Sequence, residues 1–333
     1  MDATVPEASY YSPLGDSVLR CELCPNLCRI APGRTGQCRV RRNDSGTLRL
    51  PFYGRLSSVA VDPIEKKPLY HFHPGSTILS VGFVGCSLHC PFCQNHTISQ
   101  GTDAPTRFYA PRDLVDTALE SGSFGIAYTY SEPLVHYEYV LECCRLAHRA
   151  GLKNVLVTNG YLNEVPTREL LEHVDAANVD LKSFDADWYR RELGGRLADV
   201  QRFISLAAGR IALEVTTLII PGANDDPAET EGITKWLASL GVPIPYHLSC
   251  YYPQYRYTAP PTPPDLVLRL AEVARKHLPY VYVGNVGMRE ISTTCPSCGA
   301  VLIRRAGYTT RIEGIRDGVC AACGHDPGIP GLG

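Results

Sequence analysis

The sequence predicts an α/β fold, an incomplete and open barrel of parallel βα units with a small cysteine-rich module at each end. Three observations point there. From about Thr77 to about Gly287, short β-branched apolar runs alternate with helix-period segments, the pattern of parallel βαβ units. That span of about 210 residues is shorter than the ~250 of a closed eight-unit barrel. The chemically unusual residues also fall at the carboxyl ends of the expected strands, where barrel enzymes build their active sites. A doubly wound sheet is the competing architecture.

The expected strands are Ile78–Val84, Phe124–Thr129, Asn154–Thr158, Ala177–Leu181, Ile211–Ile219, Pro245–Ser249 and Tyr280–Val283. Helical periodicity covers Pro111–Ser121, Leu134–Ala150, Glu164–His173, Asp187–Gly209, Pro227–Leu240 and Pro264–His277. The sequence therefore divides into residues 1–75, a barrel over 76–288, and a tail over 289–333. Pro and Gly punctuate both flanks, as in small metal-stapled modules without hydrophobic cores of their own.

Composition narrows the function. A formal net charge of −2 gives no basic surface for nucleic acid or acidic membranes. No run of 18 apolar residues appears, and Met1–Pro6 lacks the basic and apolar regions of a leader, so a cytoplasmic protein off the membrane is expected. Of the 14 cysteines, 11 fall in three tight sets. In a chain of this size without a leader, such clustering favours metal sites over disulfides. Cys143, Cys144 and Cys250 remain, and the adjacent pair Cys143 and Cys144 on an expected helix reads as core packing.

The central set lies in Gly85-Cys86-Ser87-Leu88-His89-Cys90-Pro91-Phe92-Cys93, directly behind the run Thr77–Val84. Three thiols spaced C-x3-C-x2-C can hold three irons of a cubane cluster and leave the fourth open to a small molecule. At the tail, Cys295-x2-Cys298 and Cys320-x2-Cys323 are two knuckles separated by 21 residues, the spacing of a four-thiolate zinc ribbon. At the front, Cys21-x2-Cys24-x3-Cys28-x9-Cys38 suits either zinc or an auxiliary iron–sulfur cluster.

Other strand ends carry polar residues with two readings each. Glu132, ahead of Pro133, is either an acceptor for an ammonium group or a helix-start carboxylate. Asp180 and Lys182 alternate on one strand face and form either a site or an ion pair. Ile220–Asp226 reads as a turn followed by a helix cap. His247 sits on the sixth strand as a structural or site histidine. Tyr251, Tyr252, Tyr255 and Tyr257 in a Pro-rich loop form either a lid or a cover over the barrel mouth.

The C-x3-C-x2-C triplet with Phe92 before its last cysteine resembles the radical S-adenosylmethionine (SAM) superfamily. The resemblance implies a partial (β/α)6 barrel in which a [4Fe–4S] cluster on Cys86, Cys90 and Cys93 binds SAM. Reductive cleavage would then give methionine and a 5′-deoxyadenosyl radical, the cofactor supplying the chemistry and the protein its placement. Tyr130-Ser131-Glu132-Pro133 stands where many members carry Gly-Gly-Glu-Pro against the SAM amino group. Val157-Thr158-Asn159-Gly160 and Asp180-Leu181-Lys182 resemble the Asp-Thr-Asn-Gly and Asp-Leu-Lys of the pyruvate formate-lyase activating enzyme family. The implied SAM-binding residues are Tyr130, Glu132, Asn159, Asp180 and Lys182, with Lys182 on the carboxylate and Asp180 a cation ligand. The family's first Asp is Val157 here, and His247 is implied near the methionine moiety.

Over nearly its full length the chain resembles the radical SAM member of the so-called AmmeMemoRadiSam system. The motifs are C-x-x-C-P-N-x-C-R-I in front, Leu213–Thr217 before Pro-Gly-x-Asn-Asp, and the terminal ribbon. An enzyme is implied that takes electrons from a flavodoxin or ferredoxin. It would abstract hydrogen from a glycyl residue of a partner protein or from a small molecule, or divert cleavage to the aminocarboxypropyl carbon. The reading from another class is a non-catalytic zinc-ribbon protein. The ribbon's local basic cluster, Arg304, Arg305, Arg311 and Arg316, reads as a solvated face.

Overall fold

The computed structural model describes residues 5–287 and 290–331; the leader reading, which uses residues 1–4, falls partly outside them. One sheet runs through β1 (Ser58–Pro63), β2 (Thr77–Gly82), β3 (Gly125–Thr129), β4 (Lys153–Thr158), β5 (Ala176–Asp180), β6 (Ala212–Ile219), β7 (Tyr246–Cys250) and β8 (Val281–Gly284). The strands neighbour one another in chain order, without reversal. A doubly wound sheet must reverse at a switch point, so the winding is that of a barrel. β2 to β8 are parallel, whereas β1 joins β2 antiparallel. β1 and β8 are the two edges of the sheet, which leaves the barrel open.

Helices fill six crossovers: α1 (Pro111–Glu120), α2 (Tyr137–Arg149), α3 (Glu164–Leu171), the pair α4 (Ala186–Leu193) and α5 (Leu197–Ala207), α6 (Pro227–Ser239) and α7 (Pro264–Arg275). The fourth crossover differs from the single helix expected over Asp187–Gly209. Gly194 ends α4 in the left-handed region, at φ 69°, as a C-terminal glycine cap does. A Cβ on Gly195 would lie 2.6 Å from Leu88 Cδ2, so the break is also where the cysteine loop packs. Strand β1 was not anticipated. Its alternation is weak, and five of its six residues are exposed or half-buried.

Register explains the interior. Ser80, Ala127, Val155, Ala176 and Ala212 lie in one row, and neighbours in a row share a face. Small residues there leave room, which Ile64, Leu69 and Phe72 from the β1–β2 connection fill. This plug carries polar groups into the barrel, where each needs a partner. Asn178 Nδ2 donates to the Pro68 carbonyl at 2.7 Å, and the His71 N–H donates to Glu214 at 2.7 Å. The helix-facing side of the sheet is apolar, as two-sided burial of parallel strands requires.

The tail forms an antiparallel sheet of β9 (Glu290–Thr294), β10 (Val301–Ala306) and β11 (Thr309–Ile312). Arg305 overturns its reading as part of a solvated face. It is 1% exposed, and it donates to the Tyr70 carbonyl at 2.6 Å and to Thr293 Oγ1 at 2.8 Å. Its guanidinium lies over the Tyr70 ring and 3.8 Å from the buried Glu65 carboxylate. Thr310 donates to that same carboxylate at 2.6 Å. The ribbon is thereby bolted to the plug.

Removing one partner of a buried pair strands the other's charge. Arg305→Met is expected to cost about 3–5 kcal/mol, read by denaturant or thermal unfolding. Adding Glu65→Gln should recover part of that loss.

Candidate functional site

The loop Gly85–Cys93 follows β2 and has no regular structure of its own except at its edges, so its shape depends on surrounding hydrogen bonds. The Gly85 N–H donates to the Ile98 carbonyl at 2.7 Å and the His89 N–H to Leu193 at 2.9 Å. Asn26 Nδ2 holds the Ser87 carbonyl at 2.9 Å, and Gln100 Nε2 holds that of Leu88 at 3.2 Å. Phe92 stacks on Trp188 and meets Tyr257 edge-on. Gly85 has φ 79°, and a Cβ there would lie 2.4 Å from the Cys38 carbonyl oxygen. Only glycine satisfies both demands.

Around this loop the structure gathers several of the residues singled out above. Asn159 Nδ2 lies 3.6 Å from Cys86 Sγ and 3.2 Å from Ser87 Oγ. Glu132 is 1% exposed. One carboxylate oxygen accepts from the Thr158 hydroxyl at 2.6 Å and the Leu134 N–H at 3.0 Å, and the other accepts from the Asn159 N–H at 2.9 Å. Glu132 thus ties the end of β3 to the end of β4. On the other side, Lys182 Nζ lies 2.9 Å from Asp180 Oδ2. Burial pushes the Cys90 thiol up to about 12, while the nearby Lys182 ammonium pulls it down. Cys86 is raised well above the ordinary thiol value, by burial first and then by Glu132. Cys93 Sγ is 3.1 Å from Ser99 Oγ, a contact that no sequence motif marked.

Tyr130 and His247 turn elsewhere. Tyr130 adopts φ 72°, left-handed for a bulky residue, and sends its phenol into the barrel. There it donates to Asp62 Oδ2 at 2.5 Å and accepts from Lys67 Nζ at 3.0 Å, while Lys67 also bonds Asp62 at 2.7 Å. Neither Asp62 nor the buried Lys67 carried a motif. His247, 4% exposed, pairs in register with Thr216 and Tyr282, and its Nε2 is 2.6 Å from Glu214. Tyr70 meets its ring edge-on. In the Pro-rich loop, Tyr251 is fully buried, and the Arg256 N–H donates to the Pro91 carbonyl at 2.9 Å. This loop closes over the cysteine turn.

The donor sets fit their expected groups by chemistry and spacing. Three thiols on one braced loop suit an iron–sulfur cluster. At the tail, the Sγ atoms of Cys295 and Cys323 are 3.7 Å apart, as are those of Cys298 and Cys320. A tetrahedral ion with 2.3 Å Zn–S bonds requires edges of about 3.8 Å. The two knuckles are alike, each closed by a positive-φ glycine, Gly299 and Gly324, whose N–H reaches back to Cys295 or Cys320 at 2.8 Å.

Glu132 has a measurable consequence. Burial raises its carboxyl to about 7, against the opposing donors on Thr158, Asn159 and Leu134. The folded state then holds a proton that the unfolded state has released, so stability is full below the ordinary carboxyl range and falls as pH rises towards 7. In the metal-free protein the loss reaches about 3 kcal/mol. Glu132→Gln, whatever its own cost beside the Asn159 N–H, should flatten that slope in unfolding measured from pH 4 to pH 8.

Residues 80–231 match the model of the Radical SAM superfamily. That stretch begins in β2 and spans the cysteine loop and the ends of β3, β4 and β5. An uncharacterized protein of Methanocaldococcus jannaschii, MJ0808, is 38% identical over 96% of this chain and 98% of its own length. The pyruvate formate-lyase-activating enzyme of Clostridium pasteurianum is 25% identical over 33% of this chain and 48% of its own. A solved domain of such an enzyme from Bacteroides vulgatus superposes with a TM-score of 0.43 at 18% identity, over 48% of this chain and 99% of the domain. With its thiol triplet on the loop after the first parallel strand, the chain belongs to the radical SAM superfamily.

Proposed function

We propose that this protein cleaves SAM reductively at a [4Fe–4S] cluster on Cys86, Cys90 and Cys93, and uses the radical to abstract hydrogen from a substrate at the barrel mouth. One observation carries the reading. On the braced loop, Cys86 Sγ lies 3.6 Å from Asn159 at the strand end that Glu132 ties down, and the Lys182 ammonium is near enough to pull the Cys90 thiol down. The cluster would supply the electron and an open iron. The chain's own residues then have separable roles.

Lys182, oriented by Asp180, receives the SAM carboxylate. Glu132 fixes the β3 and β4 ends against which the amino group lies, and a cation bound there would favour its ionised form over the protonated one that burial favours. Asn159 holds the cysteine loop through Cys86 and Ser87. Tyr130 acts indirectly, by anchoring the Tyr130–Pro133 turn to Asp62 and Lys67 inside the barrel. His247 supports the interior through Glu214. The loop from Tyr251 to Pro263 excludes water from the cysteine turn. The activating-enzyme relative favours a protein substrate carrying a glycyl residue, with a flavodoxin or ferredoxin as reductant.

Anaerobic protein reconstituted with iron and sulfide, then mixed with SAM and dithionite, should yield 5′-deoxyadenosine by mass spectrometry. The Cys86→Ala/Cys90→Ala/Cys93→Ala variant should yield none. Methylthioadenosine would point instead to the aminocarboxypropyl carbon, and intact SAM beside a loaded cluster would contradict the proposal. Lys182→Ala removes a charge-assisted hydrogen bond of about 1.5–3 kcal/mol. Its KM for SAM should rise about tenfold to a hundredfold, with cluster content unchanged.

A further inference from the structure

The cysteine sets differ in how closely their sulfurs approach. Among the described residues, only Cys295, Cys298, Cys320 and Cys323 bring their thiols all within 4.8 Å of one another. The four thiols of Cys21, Cys24, Cys28 and Cys38 share one small module without closing to that distance, as do the three of the central loop. The module is held by its own hydrogen bonds. The Cys21 N–H donates to the Cys28 carbonyl at 2.9 Å, the Leu27 N–H to Cys24 at 3.1 Å, and the Gln37 N–H to Cys28 Sγ at 3.4 Å. A single zinc with 2.3 Å bonds needs all four sulfurs at tetrahedral edges of about 3.8 Å. A cubane gives each thiolate its own iron and accepts a wider set.

We propose that Cys21, Cys24, Cys28 and Cys38 hold a second iron–sulfur cluster that hands single electrons to the centre at Cys86, Cys90 and Cys93. The relay part rests on the proposed function; the metal assignment does not. Thiol number separates the two centres. Three ligands leave an iron open for SAM, whereas four saturate the cluster and leave it only electron transfer.

Position supports the relay. Asn26, between Cys24 and Cys28, donates to the carbonyl of Ser87, between Cys86 and Cys90, at 2.9 Å. The Cys38 carbonyl lies so close to Gly85 that no Cβ fits between them. The two cysteine loops are thus in direct contact. Arg41, 1% exposed, is paired through its terminal nitrogens with Glu138 and the Ser9 carbonyl, while its buried Nε–H has no partner. A buried cation three residues beyond Cys38 suits an anionic thiolate cluster. The electron count closes without a proton. A one-electron donor of the flavodoxin or ferredoxin class is oxidised, the N-terminal cluster is reduced and reoxidised, and the central cluster is reduced.

Metal analysis and electron paramagnetic resonance on the full chain, reconstituted without oxygen, test this. Native protein should hold about eight irons and one zinc. The Cys86→Ala/Cys90→Ala/Cys93→Ala variant should keep about four irons, with a reduced-cluster signal that SAM does not perturb. Cys24→Ser/Cys28→Ser should keep the SAM-perturbed signal. Its ratio of flavodoxin-driven to dithionite-driven SAM cleavage should fall at least about tenfold. About four irons and two zincs in the native protein, or an iron-free triple variant, would overturn the assignment. An unchanged ratio would overturn the relay. Failure of the proposed function would appear separately, as intact SAM while the triple variant still held iron.

Discussion

Everything in this protein turns on holding Gly85–Cys93 still. A loop with so little internal hydrogen bonding cannot keep three thiols at fixed separations by itself, because backbone entropy of about 1–2 kcal/mol per residue works against it. The structure constrains it by contact on every side. The N-terminal module reaches it through Asn26 and Cys38, the α4–α5 break through Leu193 and Gly195, β4 through Asn159, and the Pro-rich loop through Arg256. Two glycines make this possible, Gly85 and Gly195, each at a point where a Cβ would collide.

The same constraint gives the flanking modules a purpose. The N-terminal one lies directly on the cysteine loop, and the C-terminal one acts from a distance. Its sheet presents Arg305 and Thr310 to the plug, and the plug in turn partners Asn178 and Glu214 within the barrel. Tyr282 joins the two, with its hydroxyl 2.6 Å from His71 and 2.8 Å from Thr293. Most of the polar groups brought inside find partners there, although Glu65 Oε2 and Arg305 Nε stay buried without a hydrogen bond, and members of such a network stabilise one another.

What the sequence revealed and what it hid divide along one physical line. Strand order, the crossover helices and the three thiol sets follow from period, spacing and turn residues, all local properties. The Gly194-Gly195 pair was a readable stop signal inside the expected long helix. Contacts between distant segments leave no such trace. Nothing near Arg305 announces Tyr70 as its partner, and nothing near Lys67 announces Tyr130. Tyr130 shows the limit most clearly: the motif around it resembles a turn of the superfamily, but only the fold shows that its phenol points inward to Asp62.

The most direct test of the central claim is electron–nuclear spectroscopy of the reduced native protein with SAM labelled by 15N at its amino group. A hyperfine coupling from that nitrogen to the cluster, absent in the Cys86→Ala/Cys90→Ala/Cys93→Ala variant, is the predicted result. A reduced cluster whose signal is indifferent to SAM would contradict the account, because it would mean that the three thiols do not present an open iron.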